Sequence, residues 1–97
     1  MVIKGSVIAV KGVTFAIVVM KIRVVESQEQ TNDALKLLSS VFPGVPTVIM
    51  ALDDRGAPKY RGPQEIIDLL ENINIALIPW KMYKVTLPQQ NTRFFNE

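Results

Sequence analysis

Val13-Thr14-Phe15-Ala16-Ile17-Val18-Val19-Met20 is the stretch on which the fold turns. From Phe15 to Met20 both alternating sets of side chains are apolar, the pattern of a central strand covered on both faces. From Lys21 the alternation splits into Met20, Ile22 and Val24 against Lys21 and Arg23, so one end of the strand reads as buried and the other as half exposed. The eight residues are closed by Lys21, far short of the ~20 that a membrane-crossing helix needs. Upstream, Val2 to Val10 mixes β-branched residues with Gly5 and Ser6, and Lys11-Gly12 supplies a tight turn into the central run.

Downstream, Ser27 and Gln30 have capping-box spacing, and Glu26 and Glu29 suit a helix N-terminus. Thr31, Ala34, Leu35, Leu38, Val41 and Phe42 then form one apolar stripe, which predicts a helix over 28–42 ended by Pro43-Gly44. Val45 to Leu52 reads as a buried strand, Asp53-Asp54-Arg55-Gly56 as a turn, and Ala57 to Arg61 as a short edge strand carrying Pro58. Gly62-Pro63 opens a second helix with Ile66, Leu69, Leu70 and Ile73 on its stripe, ended by Asn72 or Asn74. Ile75 to Val85 is the last strand, kinked or demoted to an edge by Pro79. The order β-β-α-β-β-α-β predicts an α/β (α+β) single-domain sandwich over residues 1–85, with a mixed sheet and two helices. Strands one and five are its expected edges, and 86–97 is a polar C-terminal tail.

The segment from Phe15 to Ile73 resembles the later half of a thioredoxin-type domain in its order of strand, helix, Val45-Pro46-Thr47, hairpin, Gly62 and terminal helix. Val45-Pro46-Thr47 is similar to that fold's cis-proline step, so the resemblance implies a thioredoxin-like topology with Pro46 in the cis form. The two-cysteine redox motif is absent, and the resemblance therefore implies topology and no activity.

With 97 residues the chain is bounded to one small domain, and 48% hydrophobic against 21% charged residues is a globular composition. There is no Cys and no His, which excludes disulfides, thiolate nucleophiles, Cys/His zinc sites, Ser-His-Asp triads and imidazole switching. No catalytic residue, metal-ligand set or cofactor is assigned. A small secreted domain without disulfides would be unusual, and Lys11 interrupts any signal-peptide pattern, so the expected location is cytoplasmic. Net charge is +2 and is distributed by segment: residues 1–25 hold four cations and no acid, 26–54 hold five acids and Lys36, and Arg55, Lys59 and Arg61 follow together. No dense basic stripe or RNA-binding aromatic signature occurs, which argues against a nucleic-acid partner.

Three constellations stand out. Asp53 and Asp54 follow an apolar strand, where ligands gather in open α/β sheets. They could hold Mg²⁺ while Arg55, Lys59 or Arg61 steadies a phosphate, or they could simply turn a hairpin. Tyr60 and Arg61 precede Gly62-Pro63 at a helix N-terminus, an anion-binding position from which Pro63 removes one donor. Trp80, Met82 and Tyr83 concentrate interface-prone side chains near the C-terminus. In a last strand Trp80 and Met82 would point inward with Lys81 and Tyr83 outward, unless the same segment forms an interface. With Phe94 and Phe95, which have no obvious place in a two-helix sandwich, these residues suggest a homodimer and leave room for a protein partner. The expected function is a small non-catalytic interaction or accessory protein that self-associates. The alternative is a small phosphate-, nucleotide- or Mg²⁺-binding domain or enzyme using Asp53 and Asp54.

Overall fold

Phe15, Ala16, Ile17 and Val18 are fully buried in the computed structural model, which describes residues 2–85. Their strand, β2 (Val13–Val19), lies between β1 (Val2–Val10), antiparallel to it, and β3 (Thr47–Leu52), parallel to it. Beyond β3 runs β4 (Pro58–Arg61) and beyond β1 runs β5 (Lys81–Lys84), giving one mixed sheet in the order β4-β3-β2-β1-β5. Helices α1 (Ile22–Glu26) and α2 (Gln28–Val41) share a core with Ala16, Val18, Ile49 and Ala51. Helix α3 (Gln64–Leu70) and the segment up to Ile78 pack with Phe15, Ile17, Val48 and Met50. Two helical layers thus cover β2, as its unbroken apolar pattern requires. Val19 is only half-buried, where the strand leaves the centre of the sheet.

The chain does not extend as a strand beyond Met20. Val24 and Val25 are adjacent and both buried, an arrangement that a helical turn allows and a strand with one open face does not. The exposed ends of this short helix find partners from elsewhere. Thr31 Oγ1 donates to the Val24 carbonyl at 2.7 Å, and Arg61 Nε, 36 residues away, donates to that of Val25 at 2.8 Å. Ser27 then caps α2 as its spacing predicts, its hydroxyl accepting from the Gln30 N–H at 3.2 Å. Thr31, Ala34 and Leu38 form the buried stripe of α2.

No cis peptide bond occurs among the described residues, so Pro46 is trans, contrary to what the thioredoxin-type resemblance implies. Pro46 directly precedes β3, and its carbonyl accepts from the Ala16 N–H of β2 at 2.8 Å. The glycine before α3 does have a local reason: Gly62 lies at φ +145°, and a Cβ there would stand 3.0 Å from the Thr47 carbonyl oxygen.

The last expected strand is also shorter. Ile75–Leu77 is a 3-10 turn, started by Asn74, whose side chain accepts from the Ala76 N–H at 2.9 Å, and only Lys81–Lys84 pairs. That pairing is with β1, which is therefore interior, and among the described residues the open edges are β4 and β5. Ser6 ties β1 to the segment leading into β5, its buried hydroxyl donating to the Pro79 carbonyl at 3.1 Å. Residues 86–97, including Phe94 and Phe95, lie outside the described residues.

Two substitutions check this arrangement. Val18→Asp is expected to abolish cooperative unfolding, because an unpaired buried carboxylate costs several kcal/mol against a total stability of ~5 to 10; a native-like thermal melt would contradict the two-sided strand. Gly5→Ala would place a Cβ 2.8 Å from the Ile17 carbonyl oxygen, so denaturant titration should show a loss of about 1 to 3 kcal/mol.

Candidate functional site

Asp53 and Asp54 stand between β3 and β4, and the hairpin uses them unequally. Asp53 Oδ1 accepts from the backbone N–H groups of Arg55 and Ala57, both at 2.9 Å. Its own N–H donates to the Ala57 carbonyl and its carbonyl accepts from Gly56, again at 2.9 Å. The side chain thus mimics backbone and closes the turn, as short acidic side chains do. Asp54 and Arg55 are exposed at the tip. Among the described residues no three acidic, His or Cys side chains converge on a common point where a cation could be held.

Strand β4 carries the most varied chemistry. Lys59 and Arg61 stand opposite Ala51 and Ile49 on the face covered by α1 and α2, while Pro58 and Tyr60 stand opposite Leu52 and Met50 on the α3 face. A groove of about 230 Å³ lies on the first side, where Val25 and Glu26 meet Lys59 and Arg61. The Arg61–Val25 hydrogen bond joins two of its lining residues and ties the guanidinium to the end of α1. On the other side a shallow groove of about 550 Å³ runs from Pro58 and Tyr60 to Glu71, Ile73 and Ile75. Burial pushes the Tyr60 phenol above its ordinary pKa of 10.0, and the Glu71 carboxylate adds to the shift. The grooves beside Tyr60 are lined without Asp53 or Asp54, so the turn and the basic strand are separate features.

The segment through β5 keeps Trp80 packed inward and Lys81 exposed as expected, but exchanges Met82 and Tyr83. Tyr83 pairs with Ile3 and lies edge-on to Phe42, with ring centroids 5.3 Å apart and planes at 85°. Trp80 packs on the opposite face, its indole Nε1 donating to the Ile75 carbonyl at 3.1 Å and Lys4 Nζ standing 5.7 Å from its ring centroid. Met82 points outward instead and is 66% exposed, beside Lys4 and Val2, the latter 48% exposed. The register with β1 places Tyr83 on the face of Ile3 and Phe42, and Met82 on the opposite face beside Lys4, where it is left exposed.

Several of these neighbours had no signal in the sequence. Glu71 ends a helix and Glu26 ends another, and only the packing of α3 and α1 against β4 brings each beside a strand residue.

Asp53→Ala is expected to cost about 1 to 2 kcal/mol in urea unfolding and Asp54→Ala less than about 0.5, because only the first carboxylate satisfies backbone donors. Equal effects would contradict the turn role. The raised Tyr60 pKa favours the protonated folded form, so the stability it contributes is fully present below pH 10.0 and is lost as pH rises through the folded value. Ultraviolet titration should show a late-ionising tyrosine that disappears in Tyr60→Phe and moves toward 10.0 in Glu71→Gln. Comparison with protein-family models, with curated proteins and with solved structures gives no match for this chain.

Proposed function

We propose that the chain is a non-catalytic interaction module that self-associates through the open edge of β5. Met82 carries this reading: a long apolar side chain, 66% exposed, stands in mid-strand on an edge that no other described strand pairs, with Val2 beside it. Unpaired strand edges recruit further strands, and Met is enriched at interfaces. The charges on β5 permit a second copy. In a two-fold antiparallel pairing, facing residues share one side of the sheet, and Lys81 and Lys84 lie on opposite sides. The two lysines therefore never face each other across such a contact. Centred on Met82, it sets Met82 against its own copy; centred on Tyr83, it sets Met82 against Lys84. The cysteine-free composition supports a cytoplasmic setting for this association.

Light scattering on the full chain is expected to give about twice the 10.9 kDa monomer mass at tens of micromolar. Met82→Lys should restore the monomer in either register by opposing like charges, with an unchanged circular dichroism spectrum because the site is exposed. Met82→Asp separates the registers: it breaks a dimer centred on Met82 and strengthens one centred on Tyr83. A monomer mass for the parent chain would refute the reading.

A further inference from the structure

Strand β4 is the other open edge, and its chemistry is opposite in kind to that of β5. Lys59 and Arg61 lie on one side of the sheet, two residues apart. A two-fold pairing of β4 with a second copy therefore sets Lys59 against Arg61, or one of them against itself, in every register that aligns the strands. Like charges across a ladder are unfavourable, so this edge turns away its own kind. The β5 strand of a second copy, Lys81-Met82-Tyr83-Lys84, brings no acid to it.

The backbone of β4 is nevertheless available. The Asp53 N–H bonds the Ala57 carbonyl at 2.9 Å, and two-residue steps along the register from there make Lys59 and Arg61 the residues bonded to β3. Pro58 and Tyr60 consequently direct their backbone polar groups outward. Pro58 has no N–H to leave unpaired, and Tyr60 presents both a donor and an acceptor. Among the described residues neither Lys59 nor Arg61 is ion-paired with an acid, and Glu26 in the same groove leaves the cations in excess.

We infer that β4 binds an extended peptide segment from another protein, added antiparallel to the strand, with acidic residues opposite Lys59 and Arg61 and an apolar residue opposite Tyr60. The ladder supplies affinity through the Tyr60 N–H and carbonyl, and the alternating side chains supply selectivity. The two acids meet the cations on the α1 side. The apolar residue lies over the Tyr60 ring, toward Pro58, Ile73 and Ile75, in a groove that already shields the phenol from water. Glu71 at the end of that groove repels an acid at this middle position, so the preferred pattern alternates acid, apolar, acid rather than running as an acidic tract. This docking uses the edge opposite to the one assigned to self-association and does not depend on it.

The test is fluorescence anisotropy of a labelled, end-blocked peptide Thr-Glu-Val-Glu-Ile-Thr with the full-length chain. Saturable binding is expected, weakened about five- to tenfold by Lys59→Glu, an exposed position whose change leaves the fold intact. N-methylation of the peptide's Val, the residue opposite Tyr60, should abolish binding by removing the donor to the Tyr60 carbonyl, and the Tyr60 amide should shift in ¹⁵N-correlated NMR spectra on titration. Replacing that Val by Glu should weaken binding, and more so in the parent chain than in Glu71→Gln. No binding, equal binding of a Lys-Val-Lys-Ile counterpart, or indifference to N-methylation would overturn the inference.

Discussion

The constraint on which the remaining structure depends is that β2 has no face to give to water. Phe15 and Ile17 need one apolar layer and Ala16 and Val18 another, so the chain must place helices on both sides of its sheet. It meets that demand with little material: α1 and α2 cover one face, while α3 and the turn that follows cover the other. The strands flanking β2 follow from the same constraint. A tight turn at Lys11-Gly12 folds β1 back beside it, and the crossover through two helices brings β3 in parallel.

Once β1 and β3 occupy the flanks, the last two strands have only the outer positions. The two edges that result carry cations but differ in how those cations are arranged. On β5 the lysines are separated by an odd number of steps and fall on opposite faces; on β4 Lys59 and Arg61 are separated by an even number and fall on one face. Parity along a strand thus distinguishes an edge that tolerates a second copy from one that rejects it. The same parity puts Tyr60 and Pro58 on the α3 face of β4 with a groove beside them, while Arg61 is drawn into the structural role of holding α1.

The elements with strong local signals were legible. Ser27 capping α2, the Pro43-Gly44 stop and the hairpin at Asp53 rest on groups acting within a few residues of themselves, and Gly62 is legible by residue type although the Thr47 carbonyl that excludes a Cβ there lies on β3. The misreadings occur where distant groups decide. Ile22 to Glu26 alternates well enough to be a strand, and it is helical because Thr31 and Arg61 satisfy its carbonyls and both valines find a core. Trp80 and Met82 share strand parity, yet Trp80 precedes the paired segment and packs inward while Met82 projects outward. Asp-Asp-x-Gly composition favours a turn over a cation site, and the structure commits the first carboxylate to that turn.

Composition and hydrophobic patterning were enough for the class of the fold, the doubly covered central strand, the turns and caps marked by prolines, glycines and Ser27, and the absence of imidazole and thiol chemistry. These follow from composition and from hydrophobic periods of two and about 3.6 residues, which act at short range. The pairing of β5 with β1, the place of β4 at the opposite edge, and the positions of Glu71 and Glu26 beside Tyr60 and Lys59 came from long-range packing. Strand partners are chosen by the burial of whole faces and by backbone groups that any residue can supply, so the choice leaves no mark in the residues that make it.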